Sequence, residues 1–467
     1  MMNAAAYNAE LFQTSVMHVP TKEEADRSWR TLANCDETML RELRRQWGCI
    51  AIPSSGANST SSIYGAVASM RSMGYQVEHA EALLDAGAAA FHAENWAELA
   101  VITARVYAAL RQAPEDPTHP SHQYRRYHTW EEYCAAVPKW FFCPPPDPEA
   151  YRKKTTDGWY GQLAAGTAGS QYEGYAPEEI ARHTHSVKGY LTQPSVFNDD
   201  ITYEIAFLTA YAAHGPAVTS QAIAEEWLRQ IPMAMTAEGV ALRNLRAGIL
   251  PPESGLRDNY FREWIGAQMR GAICGMLAPC NCREAARLAW IDGCISHTCN
   301  GILGEVFSAL LVSMAYSGHD MRQILLDTLE MIPADSEYAH ILRRSVLFCE
   351  RSASWQEAWA QCTELLAEYT WVHAYPNAAA EVVAIWFGED DFERTLEIMC
   401  LCGYDADCTA AQLLTAVSIR GGLENVHETW LAPARGSLET YLRGRETLTA
   451  AELICETIAA YEKHLPA

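Results

Sequence analysis

Apolar residues three and four apart recur through almost the whole chain, and this spacing limits the fold more than any other feature. Stretches such as "EIAFLTAYAAHG", "EAARLAWIDGCI", "GEVFSALLVSMAYSG", "MRQILLDTLEMI", "AAQLLTAVSIRGG" and "AAELICETIAAYEKHL" carry it on good helix formers. Several stop at Gly, the residue that most easily takes the left-handed conformation closing a helix. Alternating Val, Ile, Thr and Tyr runs between turns are sparse, and no repeat period signals a solenoid. The expected fold is therefore all-α, a compact multi-helix domain with a helical N-terminal extension.

Punctuation divides the chain. "FFCPPPDPEA" near 141–150 carries consecutive prolines, which exclude helix interior and favour a stiff connector. Upstream, "VEHAEALLDAGAAAFHAENWAELAVITARVYAALRQAPEDP" reads as two consecutive helices ended by Pro114 and Pro117. Thr21 with Glu24 three residues on has the form of a capping box. The expected organisation is a helical accessory module over 1–140, a Pro-rich linker over 141–155 and one large helical domain over 156–467. "PSSGANSTSS" (53–62) has one Gly and no Lys at phosphate-loop spacing, so it reads as a flexible solvated loop.

Composition narrows the partners. Of 467 residues, 49% are hydrophobic, enough for a sizeable core. A formal charge of −23 disfavours nucleic-acid phosphates and anionic lipid as partners. No apolar run approaches the roughly eighteen residues of a membrane span, and "MMNAAAYNAELFQTS" lacks the basic and apolar regions of a secretory signal, so a cytoplasmic location is expected. The 15 cysteines include two C-x-C pairs, Cys280/Cys282 and Cys400/Cys402, without zinc-finger spacing. Most are expected as reduced, buried thiols.

Two acidic clusters stand before helical runs. "NDDITYEI" sets Asn198, Asp199 and Asp200 ahead of one, and "GYDADCTAAQ" sets Asp405, Asp407 and Cys408 ahead of another. Acidic residues at a helix N-terminus are ordinary, because amide donors and the dipole favour negative charge there. Two such starts brought together in apolar surroundings would repel, unless hard divalent cations lay between them.

The order of four segments resembles the ADP-ribosylglycohydrolase family, which includes the dinitrogenase-reductase-activating glycohydrolase and the ADP-ribosyl-arginine and ADP-ribosyl-serine hydrolases. They are "GWYGQLAAGTAGSQYEGY" (158–175), "NDDITYEI" (198–205), a central region over 265–318 containing "SHTCNG", and "HAYPNAAAEVVAIWFGEDDFERTLEIMCLCGYDADCTAAQ" (373–412). The N-terminal 140 residues lie outside the resemblance.

What the resemblance implies is an all-α domain holding Mg2+ or Mn2+, as two ions or one, and hydrolysing a glycosidic bond to an ADP-ribose-like or ribosyl group. Asp199, Asp200, Asp405 and Asp407 match its metal ligands, with Asn198 and Cys408 at hydroxyl-ligand positions. Glu173 matches the glutamate facing the substrate, so the acid/base is Glu173 or Asp405. His297, His373 and Asn377 fall on segments that surround the substrate in relatives, and Tyr172 and Tyr175, beside Glu173, are candidates to line the cleft. Cys408 departs from the pattern, since sulfur is a poor magnesium ligand and favours softer metals. The alternatives are hydrolysis of a free nucleoside or nucleotide conjugate, and a non-catalytic ligand-binding protein on the same scaffold. Residues 1–140 would shape the cleft, contact a protein substrate or build a homo-oligomer.

Overall fold

The computed structural model describes residues 4, 13–14, 16–24, 32–49, 51–59, 61–192 and 200–465, without the side chains of 32–35 and 200. The regular secondary structure of the described residues is helical but for one small sheet. That sheet pairs Ser437–Glu439 antiparallel with Thr447–Thr449.

The Asn300–Ala315 helix is the hub, and every one of its residues is buried. "NGILGEVFSALLVSMA" is apolar or small on all faces, so it can only lie inside other helices. Against it pack Cys282–Gly293, Ala374–Gly388 and Ala406–Gly421; Pro148–Gly169 packs in turn on Ala406–Gly421, and Asp200–His214 on Ser220–Gln230 and Ala450–Lys463. Side-chain caps set many of the helix starts, including Asn281, Asp320, Ser336, Ser354 and Asp391. Thr449 and Glu452 form a reciprocal capping box, and Thr21 bonds Glu24 in the same way.

The Pro148–Gly169 helix starts earlier than the proline run suggests. Asp147 Oδ1 accepts from the N–H groups of Glu149 and Ala150, and Pro148 occupies the first turn, where its missing donor costs nothing. Farther along, Gly158 and Gly161 let this helix sink onto Ala406–Gly421. A Cβ on Gly161 would lie 1.9 Å from Ser418 Oγ and 3.0 Å from the Leu414 carbonyl. The same helix buries Trp159, whose indole N–H donates to Thr457 Oγ1 at 3.0 Å, so "DGWYG" is core packing.

The N-terminal helices Leu32–Trp47, Ser62–Ser72 and Trp96–Arg111 build a second apolar cluster. Trp47, Val67, Leu99 and Val106 pack there together with Val240, Tyr260, Phe261 and Trp264 from far along the chain. Tyr127, Tyr133 and Val137 already belong to the main core, so the chain joins the large body before the prolines. The proline stretch is itself fixed: Cys143 is disulfide-bonded to Cys280, and Phe142 bridges to Asn281. Twelve other described cysteines are free thiols, eight of them buried.

Candidate metal centre

The start of the Ala406–Gly421 helix is built by a sharp reversal. Gly403 and Tyr404 both take positive φ, +69° and +63°, before the chain enters the helix at Asp405. Left-handed backbone at a residue as large as Tyr404 costs about 1–3 kcal/mol and needs outside support. The support is a two-way pairing with the segment after the opening helix. Gly174 N–H donates to the Tyr404 carbonyl at 2.8 Å, and Tyr404 N–H donates to the Tyr175 carbonyl at 3.0 Å. Gly403 must lack a side chain here, because a Cβ would lie 2.3 Å from the Tyr175 carbonyl.

Asn377 secures the other side. Its Oδ1 accepts from Asp405 N–H at 3.1 Å, while its Nδ2 donates to the carbonyls of Trp371 and His373 at 2.8 and 2.9 Å. All of these partners are backbone, and Asn377 is fully buried. Its visible task is to hold the Asp405 turn. His373 is likewise buried: it caps Ala374–Gly388 by accepting from Tyr375 N–H at Nδ1, packed between Tyr369 and Tyr375. Burial pushes its imidazole down to about 3, so it is neutral.

The reversal delivers a compact donor set. One ligand atom each from Asp405, Asp407 and Cys408 lies within 4.8 Å of the other two. Their exposures are 6%, 8% and 7%. Burial, and then the neighbouring Asp405 charge, holds the Asp407 carboxyl well above the usual carboxylate range. Cys408 Sγ also lies 3.9 Å from Met269 Sδ. The opening helix presses on this start, since a Cβ on Gly169 would sit 2.2 Å from the Ala406 carbonyl and 2.7 Å from Asp407 Cα.

The donor set fits a divalent cation. Two carboxylates crowded in a buried pocket are what such an ion relieves, and the adjacent thiol shifts preference from magnesium toward manganese or a softer ion. Asn198 and Asp199 lie outside the described residues, as does the side chain of Asp200. The Asp200–His214 helix is nonetheless joined to this region. Glu204 accepts from Gln412 Nε2 at 3.2 Å and from Gln162 Nε2 at 2.8 Å, and Gln412 Oε1 accepts from Ala272 N–H.

Glu173 is half-buried, one residue before the Gly174 that pairs with Tyr404. Tyr172 is buried beside it. His297 belongs to a different cluster, around the fully buried Arg270. There Arg270 binds Glu238 at 2.9 Å and Asp292, with Glu305 at 3.8 Å, and His297 Nδ1 lies 2.8 Å from Ser296 Oγ. Burial first, and then Arg270, lowers the His297 pKa well below its ordinary value, so its place is in the core network. Arg270, Gln162, Gln412 and Met269 carry no signal of their own in the sequence. Each lies inside an apolar helical run and gains its meaning only from a partner distant in sequence.

Fold and site together define an all-helical protein with a buried acidic helix start able to hold a cation. The ADP-ribosylglycohydrolase family model matches residues 147–463, more than half of the chain, and the chain belongs to that family. Membership supports a hydrolase. No curated relative matches the sequence. A solved structure described as an "ADP-ribosylglycohydrolase-related protein complex" is similar to this chain at 20% identity and a TM-score of 0.50. It covers 68% of this chain and 100% of its own. At that identity the likeness speaks for the fold alone.

Proposed function

We propose that this protein uses a divalent cation to hydrolyse the glycosidic bond of an ADP-ribose-like or ribosyl group on a modified substrate. The carrying observation is the buried convergence of Asp405, Asp407 and Cys408 at one helix start. Family membership and the Glu204–Gln412 contact, which ties in the helix that opens at Asp200, support the same reading.

Asp405 and Asp407 would hold the ion, Mg2+ or more readily Mn2+, with Asn198, Asp199 and Asp200 completing the set and Cys408 beside it. When bound, the ion supplies a polarised water and a hold on the ribose hydroxyls. The chain's own groups then divide the proton work. Asp405 takes a proton from the attacking water as the new C1–oxygen bond forms. Glu173, on the paired strip opposite, gives its proton to the leaving atom as the glycosidic bond breaks. Tyr172 would line the cleft beside Glu173, while Asn377 and His373 fix the Asp405 turn rather than the sugar.

Incubating the full-length chain with ADP-ribosyl-arginine and ADP-ribosyl-serine peptides in manganese tests this reading. Release of ADP-ribose, lost in Asp407→Asn, is the expected result. Turnover that survives Asp407→Asn would move the chemistry elsewhere. The contact between Cys408 and Met269 favours a second reading, in which the thiol only packs and the scaffold binds ADP-ribose without cleaving it. Tight binding of ADP-ribose with no release from either peptide would select that one.

A further inference from the structure

The Ile52–Ala57 loop is seated on the site, although it belongs to the N-terminal region outside the family match. It closes on itself: Ile52 N–H donates to the Ala57 carbonyl at 2.8 Å, and Gly56 N–H donates to the Ile52 carbonyl at 2.7 Å. Gly56 takes φ +77°, which a side chain would resist. The closed loop then docks at one place. Tyr175 hydroxyl donates to the Ser55 carbonyl at 2.9 Å. A Cβ on Gly174 would lie 2.7 Å from Ile52 Cδ1 and 2.9 Å from Ala57 Cβ. Between these anchors, Ser54 Oγ lies 3.5 Å from Glu173 Oε2.

Gly174 and Tyr175 are also the residues paired with Tyr404, next to Asp405. A strip three residues long therefore faces the acidic helix start through its backbone and the N-terminal loop through the Glu173 and Tyr175 side chains and the bare Cα of Gly174. From this geometry we infer that the N-terminal region completes the site: Ser54 is a positioning residue for the Glu173 carboxyl, and the loop forms the wall the leaving group meets. This rests on the glycohydrolase reading above. Residues 51–62 carry no charged side chain. Such a wall selects leaving groups by shape and by hydroxyl or amide hydrogen bonds, not by charge. The Ser54 contact is long, and hydrogen bonds of this kind tighten when substrate arrives.

The test uses the full-length protein with manganese. In hydrogen exchange, the Ile52, Gly56 and Ala57 amides are protected in the wild type and exchange at least about tenfold faster in Tyr175→Phe, with the Asn300–Ala315 helix unchanged. In kinetics on the ADP-ribosyl peptide that is cleaved, Ser54→Ala lowers kcat about five- to tenfold with little change in KM, and Ser54→Thr restores it. Loop amides already unprotected in the wild type overturn the docking. Unchanged kcat in Ser54→Ala, with wild-type turnover intact, overturns the positioning role. A wild type without turnover or manganese uptake overturns the hydrolase reading and the positioning role together, even where the loop stays protected.

Discussion

Gln412 Nε2 donates to Glu204 Oε1 at 3.2 Å, deep in the protein, and so joins the Asp200–His214 helix to the Ala406–Gly421 helix. The two acidic stretches are some two hundred residues apart in sequence. This contact ties the interiors of the helices that follow them.

The same glutamate sets a pH dependence. Burial raises the Glu204 carboxyl to about 8, against the hydrogen bonds from Gln412 and Gln162, and burial raises Glu381 to about 8 against its bond from Gln268. Between about 4.5 and 8 the folded state keeps protons that the unfolded chain releases. The stability these groups contribute is full below about 4.5 and is lost as pH rises through 8. Glu204→Gln and Glu381→Gln should each flatten the fall in Tm between pH 5 and 8, removing a pH-dependent stability on the order of a few kcal/mol. Thermal melts across that range measure it, and slopes parallel to the wild type would show the groups to be ionised in the fold.

Gly169→Ala tests the pressure of the opening helix on the acidic start. The new Cβ meets backbone at 2.2 Å, so one helix has to shift and carry Asp405 and Asp407 with it. Manganese affinity should fall by roughly tenfold or more, with helical content largely kept. Circular dichroism and a metal titration on the same sample separate displacement from unfolding, and wild-type affinity would show that the site tolerates the shift.

Asn377→Ala removes an acceptor from Asp405 N–H and a donor from the Trp371 and His373 carbonyls. The expected loss is about 1–3 kcal/mol per group left unsatisfied. If Asn377 acts through the turn, kcat falls while the affinity for free ADP-ribose changes little. A selective loss of ADP-ribose affinity, read by calorimetry, would instead put its amide on the ligand.

Arg270 is the cation among the carboxylates of Glu238, Asp292 and Glu305. Burial and the Asp292 charge raise Glu305 well above the usual carboxylate range. Arg270→Met leaves the remaining charges buried without their partner, a change that costs about 3–5 kcal/mol. Denaturant unfolding reads the difference. A loss below about 1 kcal/mol would mean that the cluster repacks around the apolar side chain.

The helical class was legible because Ala- and Leu-rich periodicity is a local property, and so was the cap of Thr21 with Glu24. The acidic helix start at Asp405 was legible too, because proximity in sequence became proximity in space. What the residues alone did not show depended on distant partners. Asn377 and His373 were expected near substrate, but what fixes their visible tasks is which backbone groups fold around them. Ser54 sits in a polar, Gly-containing stretch that reads as solvated; only the bare Cα of Gly174 and the Tyr175 hydroxyl, more than a hundred residues on, give it a seat. The Cys143–Cys280 bridge was hidden in the same way, since the cysteines offer many pairings and no spacing rule selects one.

If carboxylates from two separate helix starts share bound cations, manganese titrated into the metal-stripped full-length chain will show it, with Asp199→Asn and Asp407→Asn measured alongside. One or two ions per wild-type chain are expected, and in each variant an ion lost or held at least about tenfold more weakly. A wild type that takes up no manganese, or two variants that bind it as the wild type does, would contradict it.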